Sequence, residues 1–88
     1  MSSHSLELEI SKKLNAFLQD TLLVSFDQKV TKDSNLIESG FMDSFAIVQL
    51  VSFLEQTFKI RLTEAEMTSR DLAIPSKIEE LLLRKINQ

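Results

Sequence analysis

The strongest constraint on the fold of this chain is the order of residues around its single glycine. Gly40 closes a polar run, and Asp43 and Ser44 follow directly in front of the apolar segment 45–54. Asp43 is a good N-cap, because its carboxylate can accept the free N–H groups of a first helical turn and lies at the positive end of the helix dipole. The order therefore predicts a loop, a cap and then a helix whose first position is Ser44, with its side chain pointing outward.

The helix after Asp43 is expected to have one buried face and one more exposed face. Its apolar residues recur at the three-and-four spacing of a helix, which is typical of a stripe that faces a core. The predicted buried stripe comprises Ile47, Leu50, Val51, Leu54 and Phe58. The more exposed stripe comprises Phe45, Val48, Ser52 and Glu55.

A serine hydroxyl at the start of a helix suits a phosphate ester, because unpaired N–H groups and the helix dipole favour an anion there. It suits nucleophilic catalysis less well, since a catalytic serine needs a base within hydrogen-bond reach. The chain has one histidine, His4, in a polar N-terminal segment. A hydrolase built on Ser44 is therefore the weakest hypothesis, whereas a purely structural role as a second capping residue remains open.

The run from Asp33 to Phe45, DSNLIESGFMDSF, resembles the signature of the acyl and peptidyl carrier proteins. In that family a leucine and an acidic residue precede a glycine, and Asp-Ser-Leu follows. The resemblance implies that Ser44 receives 4′-phosphopantetheine from coenzyme A, and that Asp43 holds the serine in place and contributes to recognition by the transferase. Apolar residues match the family over nearly the whole chain, at Phe17, Leu18, Val30, Leu36, Leu50, Leu54, Phe58, Ile60, Leu62 and Ile78.

The resemblance implies a carrier protein that is not itself an enzyme. Ser44, once modified, would hold an acyl or aminoacyl group as a thioester, and the flexible arm would let one carrier visit several active sites. The implied partners are a phosphopantetheinyl transferase, an acyl- or aminoacyl-activating ligase, and an acyltransferase or synthase. Fatty acid or secondary metabolite biosynthesis is the expected pathway for such a carrier.

A narrower alternative rests on three further features. Phe45 stands in place of the usual leucine after the serine, an Arg70-Asp71 pair comes later, and the segment 74–78, IPSKI, opens the last helix. These features are similar to those of the D-alanyl carrier proteins of teichoic acid modification, so the alternative is a carrier of D-alanine. Those proteins usually carry a tryptophan in the last loop, and this chain has none.

The face beside Ser44 suggests how partners dock. Carrier proteins that serve many fatty acid synthesis enzymes are rich in acidic residues on the outer face of this helix. Here that face carries Ala46, Gln49, Ser52, Glu55 and Gln56, so its only charge is Glu55. Docking by electrostatics would be weak, and a narrower set of partners that contact Phe45 and Val48 is expected. The predicted docking residues are Phe45, Val48, Gln49, Ser52 and Glu55.

A rival hypothesis from another class is a helical interaction domain without a cofactor. In that case Ser44 only caps the helix, and the exposed Phe45 and Val48 bind a helix of another protein. An aromatic residue near a helix start can also be ordinary surface. Modification of Ser44 separates the carrier from these alternatives.

Composition limits the other possibilities. A chain of 88 residues is expected to form one domain, residues 1–88, and the absence of cysteine excludes disulfides and thiolate metal sites. The net charge of −3 argues against nucleic acid binding. No signal peptide and no apolar run of roughly 20 residues is evident, so we expect a cytoplasmic monomer without a transmembrane segment. No metal site is expected, because Glu38 replaces the glycine required in an EF-hand loop that Asp33 could open.

The predicted fold is all-α, a four-helix bundle with three long helices, one short helix and a long first loop. The first helix runs from about Ser5 to about Leu22, and the loop covers residues 23–42, where scattered apolar side chains can anchor it. Residues 58–62 alternate like a strand, but no partner strand is evident. We therefore expect an extended connection there.

Two capping signals predict the remaining helices. Thr63 and Glu66 have the spacing of a capping box, which starts a short third helix over about 64–71. The last helix begins at Pro75, as the first helical residue, or after Ser76, as a cap paired with Glu79. Both signals place the short helix between two longer ones.

Overall fold

The structure, a computed structural model, describes residues 3–87, with the side chains of residues 5–87. Its helices are α1 (Ser3–Asp20), α2 (Ser44–Phe58), α3 (Glu64–Met67) and α4 (Pro75–Ile86), and a 3₁₀ turn covers Arg70–Ala73. Residues 3–87 contain no strand, so the alternating stretch 58–62 forms a connection, as predicted, except that Phe58 is the last residue of α2. The all-α class, with three long helices, one short helix and a long first loop, is confirmed.

The three long helices each bury one apolar stripe in a common core. In α1 and α4 the buried residues recur at the three-and-four spacing of a helix. Burying one such side chain stabilises the fold by roughly 1.5–3 kcal/mol relative to leaving it exposed. The fully buried members are Ile10, Leu14 and Leu18 of α1, Leu50 and Leu54 of α2, and Ile78 and Leu82 of α4. Within residues 3–87, no helix is both long and apolar enough to cross a membrane.

The buried stripe of α2 differs from the predicted one. Ala46, expected on the outer face, is only 6% exposed, whereas Ile47 and Val51 are half-buried. Ala46 lies one turn before Leu50, so it shares the side of α2 that faces the core. The prediction for Ala46 was wrong because the larger Ile47 and Val51 dominated the apolar pattern.

The first helix ends at Asp20 rather than at Leu22. The N–H of Thr21 donates to the carbonyl oxygen of Phe17 at 2.9 Å, and the N–H of Val24 donates to that of Leu18 at 2.9 Å. Leu23 has the left-handed φ of 58°, which reverses the chain. The sequence has no glycine at this helix end, so the predicted helix extended two residues too far.

The long first loop is anchored by Leu36, which is completely buried. Its N–H donates to the carbonyl oxygen of Ala73 at 2.8 Å, and its carbonyl oxygen accepts the N–H groups of Phe41 at 2.9 Å and Met42 at 3.1 Å. Val24 and Met42, near the two ends of the loop, are also buried. The prediction that scattered apolar residues hold this loop is confirmed.

The predicted capping box of the third helix is present, but the helix is shorter than expected. Glu66 accepts the N–H of Thr63 at 2.8 Å, and Thr63 accepts that of Glu66 at 3.1 Å. The helix ends at Met67 instead of continuing to Asp71, since the hydroxyl of Ser69 accepts the N–H of Asp71 and starts the 3₁₀ turn.

The last helix begins with Pro75 as its first residue, which confirms one of the two predicted starts. The other, a box formed by Ser76 and Glu79, was wrong. Ser76 already lies inside the helix, and its N–H donates to the carbonyl oxygen of Lys32 at 2.8 Å. The N-cap position is Ile74, which has no capping side chain.

Candidate functional site

The approach to α2 is a tight turn that needs its glycine. Gly40 has a φ of 87°, in the left-handed region that residues with a Cβ rarely adopt. Its N–H donates to the carbonyl oxygen of Ile37 at 3.1 Å, and the N–H of Ser39 donates to that of Asn35 at 3.0 Å. The turn ends three residues before α2 and sets the direction in which the helix starts.

Asp43 caps α2 as predicted. Its backbone is extended, with φ −131° and ψ −171°, and its Oδ1 accepts the N–H of Ala46 at 2.9 Å. Its carbonyl oxygen accepts the N–H of Ile47 at 3.0 Å. The carboxylate therefore satisfies one free N–H of the first turn and fixes the position of the next residue, Ser44.

Ser44 is the first residue of α2 and is exposed, which matches the predicted placement. Within residues 3–87, the N–H groups of Ser44 and Phe45 have no acceptor. Unpaired N–H groups at a helix start attract anions, and the helix dipole adds to the attraction. The local geometry therefore fits a phosphate group joined to the Ser44 hydroxyl.

The predicted docking residues fall into two groups. Phe45 and Val48 are 70% and 65% exposed, and Ser52 is exposed as well. Gln49 and Glu55 are half-buried, and Oε2 of Glu55 accepts the N–H of Leu62 at 2.9 Å. The one charged residue of α2 is thus engaged with the connection to α3, and the exposed part of the face is uncharged.

A groove runs along α2 on the side of α3, and the sequence did not predict it. Its volume is about 310 Å³, and it is lined by Ile47, Val48, Val51, Ser52, Glu55 and Met67. The lining is mostly apolar. Met67, the last residue of α3, was the sequence signal that could have indicated an apolar wall at this place.

An exposed ion pair joins the loop before α2 to the 3₁₀ turn. Nη2 of Arg70 lies 3.4 Å from Oε2 of Glu38, and the two side chains are 86% and 69% exposed. Ion pairs this exposed contribute little to stability, typically about 0–1 kcal/mol. The contact between Arg70 and Glu38 nevertheless places the Arg70-Asp71 pair next to the loop that carries Gly40.

The described residues hold no group of three or more potential metal ligands. The side chain of His4, the one histidine of the chain, lies outside the described residues. Hydrogen bonds from Val30 and Lys29 lower the pKa of Asp27, and the Lys85 ammonium lowers the pKa of Glu66. Neither carboxylate belongs to α2.

Comparison with known proteins supports the same chemistry. Residues 12–73 match a family model described as a phosphopantetheine attachment site, and this range includes the turn at Gly40 and the start of α2. D-alanyl carrier proteins from two strains of Lactobacillus delbrueckii subsp. bulgaricus are 32% identical over 73 residues, covering 83% of this chain and 89% of each relative. No solved structure matches the chain at comparable significance. The chain therefore belongs to the phosphopantetheine-binding carrier proteins, whose cofactor is a covalently attached 4′-phosphopantetheine.

Proposed function

We propose that Ser44 is the attachment residue and that residues 1–88 form a single carrier domain that delivers a bound group to partner enzymes. The observation that carries the proposal is the exposure of Ser44 at the first position of α2, beside two N–H groups that have no acceptor among residues 3–87. A phosphodiester formed on this hydroxyl meets those N–H groups and the positive end of the helix dipole. The cofactor supplies a terminal thiol that holds the cargo as a thioester, in a chain that has no cysteine.

The residues of this chain position the hydroxyl and leave the chemistry to the partners. Oδ1 of Asp43 is bonded to the N–H of Ala46 at 2.9 Å, so it fixes the turn that presents Ser44 to the transferase. The base that removes the proton of the hydroxyl is expected to come from the phosphopantetheinyl transferase. A carrier that is a substrate of other enzymes, and not itself an enzyme, fits these roles.

Phe45 and Val48 form the contact surface that partners are expected to use. Both are more than 60% exposed, and they lie on α2 directly after Ser44. Because Glu55 is bonded to the backbone of Leu62, the exposed part of this face has no free charge. We therefore expect apolar docking with the loading ligase and the receiving acyltransferase or synthase, by a cytoplasmic monomer.

Mass spectrometry tests the attachment. The protein is incubated with coenzyme A and a promiscuous phosphopantetheinyl transferase, and its mass is expected to rise by one phosphopantetheinyl group. Ser44→Ala is expected to abolish the gain. Ser25→Ala, which removes an exposed serine outside α2, is the control and is expected to load like the wild type. A wild-type protein that gains no mass, or a Ser44→Ala variant that still does, contradicts the proposal.

D-alanine is the cargo that we favour. The relatives that match over most of their length are D-alanyl carrier proteins, and Phe45 and the Arg70-Asp71 pair point the same way. The test incubates the loaded carrier with ATP, D-alanine and a D-alanine-activating ligase, and measures a hydroxylamine-labile D-alanyl thioester. L-alanine and a fatty acid with its own ligase are the comparisons. Acylation by the fatty acid but not by D-alanine would contradict D-alanine as the cargo and favour the broader class of acyl carrier proteins.

A further inference from the structure

The short helix α3 has little apolar anchoring of its own. It comprises Glu64–Met67, and none of its residues is buried. Met67 is half-buried and forms one wall of the groove along α2. A helix of this length is not stable alone, so its position depends on contacts with the rest of the chain.

The strongest polar contact of α3 comes from Lys85, near the end of α4. Nζ of Lys85 lies 2.7 Å from Oε1 of Glu66 and donates to the carbonyl oxygen of Arg61 at 2.7 Å. The side chains of Lys85 and Glu66 are only 13% and 28% exposed. Because water screens it less, this ion pair is stronger than an exposed one.

Two other ion pairs of the described residues show the contrast. Lys13 and Glu9 are 46% and 59% exposed, and Lys77 and Glu80 are 49% and 65% exposed. Both join residues of a single helix. The Lys85–Glu66 pair instead joins α4 to α3. Lys85 also bonds to Arg61 in the connection between α2 and α3, and Glu55 of α2 accepts the N–H of Leu62 in the same connection.

We propose that Lys85 is a positioning residue whose ion pair with Glu66 holds α3, and with it Met67, in place at the groove along α2. Loss of the pair releases α3 and widens the groove, while the core of α1, α2 and α4 stays packed. The inference goes beyond the proposed function, because it does not depend on any group attached to Ser44.

The methionines provide the readout. Met67 lines the groove, whereas Met42 is only 5% exposed in the core and reports on global packing. In the full chain with ¹³C-methyl-labelled methionine, Lys85→Leu, which adds no methionine signal, is expected to shift the Met67 methyl resonance and leave that of Met42 in place. Amide hydrogen exchange at Met67 and Thr68, whose N–H groups bond to Thr63 and Glu64, is expected to become about tenfold faster, as for loss of one charged hydrogen bond.

Three variants separate positioning from general stability. Lys77→Leu removes an exposed lysine of the same helix and is expected to change neither readout. Lys85→Arg keeps the charge and the donors, so the Met67 resonance is expected near its wild-type position. Glu66→Gln keeps an acceptor for the N–H of Thr63 but loses the charge, and is expected to resemble Lys85→Leu. The inference is overturned if Lys85→Leu leaves Met67 unchanged, or if Met67 and Met42 shift together.

Discussion

The starts of α2 and α4 differ although each has a serine in its first two residues. Ser44 opens α2 behind a side-chain cap and is exposed. Ser76 follows Pro75 in α4, is half-buried, and donates its N–H to the carbonyl oxygen of Lys32. Only the first start combines an accessible hydroxyl with neighbouring N–H groups that lack acceptors among the described residues.

The physical difference lies in how each first turn satisfies its N–H groups. At α2, Asp43 satisfies the N–H of Ala46 and leaves those of Ser44 and Phe45 available to an anion. At α4, proline has no N–H, and a tertiary contact takes up that of Ser76. The fold therefore leaves the start of α2 open to an anion, whereas at α4 it takes up the N–H of Ser76.

Replacing Leu36 is expected to loosen the segments before both starts, because its buried side chain anchors the long first loop. This fully buried residue bonds to Ala73, before α4, and to Phe41 and Met42, before α2. Leu36→Ala is expected to lower the free energy of unfolding by about 2–5 kcal/mol, through lost burial and a cavity. Urea denaturation measures the loss. Ile37→Ala, at a side chain that is 49% exposed, is the control and is expected to change it by less than about 0.5 kcal/mol.

Removing the Asp43 cap is expected to affect the start of α2 alone. Asp43→Ala is expected to cost about 1 kcal/mol in urea denaturation, because the N–H of Ala46 loses its acceptor. Asp43→Asn keeps an acceptor and should recover most of the loss. Ser76→Ala is expected to stay within about 0.5 kcal/mol of the wild type, since its side chain caps nothing. Equal losses in Asp43→Ala and Ser76→Ala would remove the proposed contrast.

At the start of α3, the stability that Glu66 contributes is expected to depend on pH. Lys85 holds the pKa of Glu66 below its ordinary value of 4.5, so the carboxylate binds its proton less readily in the folded chain. The stability that Glu66 contributes is therefore fully present above about pH 4.5 and is lost as the pH falls through the lowered pKa. The other charged residues that line a small cavity with Glu66 are Lys77, Arg84 and Asp71.

Urea denaturation of the wild type and Glu66→Gln from about pH 7 to about pH 3 checks this sign. The wild type is expected to be the more stable of the two at neutral pH, and the gap should shrink in acid. Glu80→Gln, at an exposed carboxylate paired with Lys77, serves as the control. A gap that stays constant over this range would mean that the ion pair with Lys85 does not stabilise the fold.

The smallest expected effect is at the end of α2, opposite the start that carries Ser44. Lys59 has a left-handed φ of 56° and is exposed, so its Cβ strains the backbone without packing against the core. Lys59→Gly is expected to raise the free energy of unfolding by about 0.5 kcal/mol. Lys59→Ala keeps the Cβ and should show no gain. If both variants behave alike, backbone strain at this residue is not the cause.

Features encoded by neighbouring residues could be predicted, and those that depend on distant contacts could not. The Asp43 cap, the Thr63–Glu66 capping box and the first position of Ser44 were all predicted from residues within one helical turn. The burial of Ala46 and the failure of Ser76 as a cap were missed. Each of these depends on a contact with a segment remote in sequence, the core for Ala46 and Lys32 for Ser76.

The sequence by itself determined the class of the fold, the cap of α2 and the serine that follows it, because spacing, capping chemistry and the single glycine act over a few residues. Only the tertiary structure decided which helix start stays open, that Glu55 is engaged by Leu62, and that Lys85 reaches Glu66 across 19 positions of the chain. Such contacts depend on how the helices pack, so local sequence patterns do not predict them. The uncharged exposed face beside Ser44 results from both levels acting together.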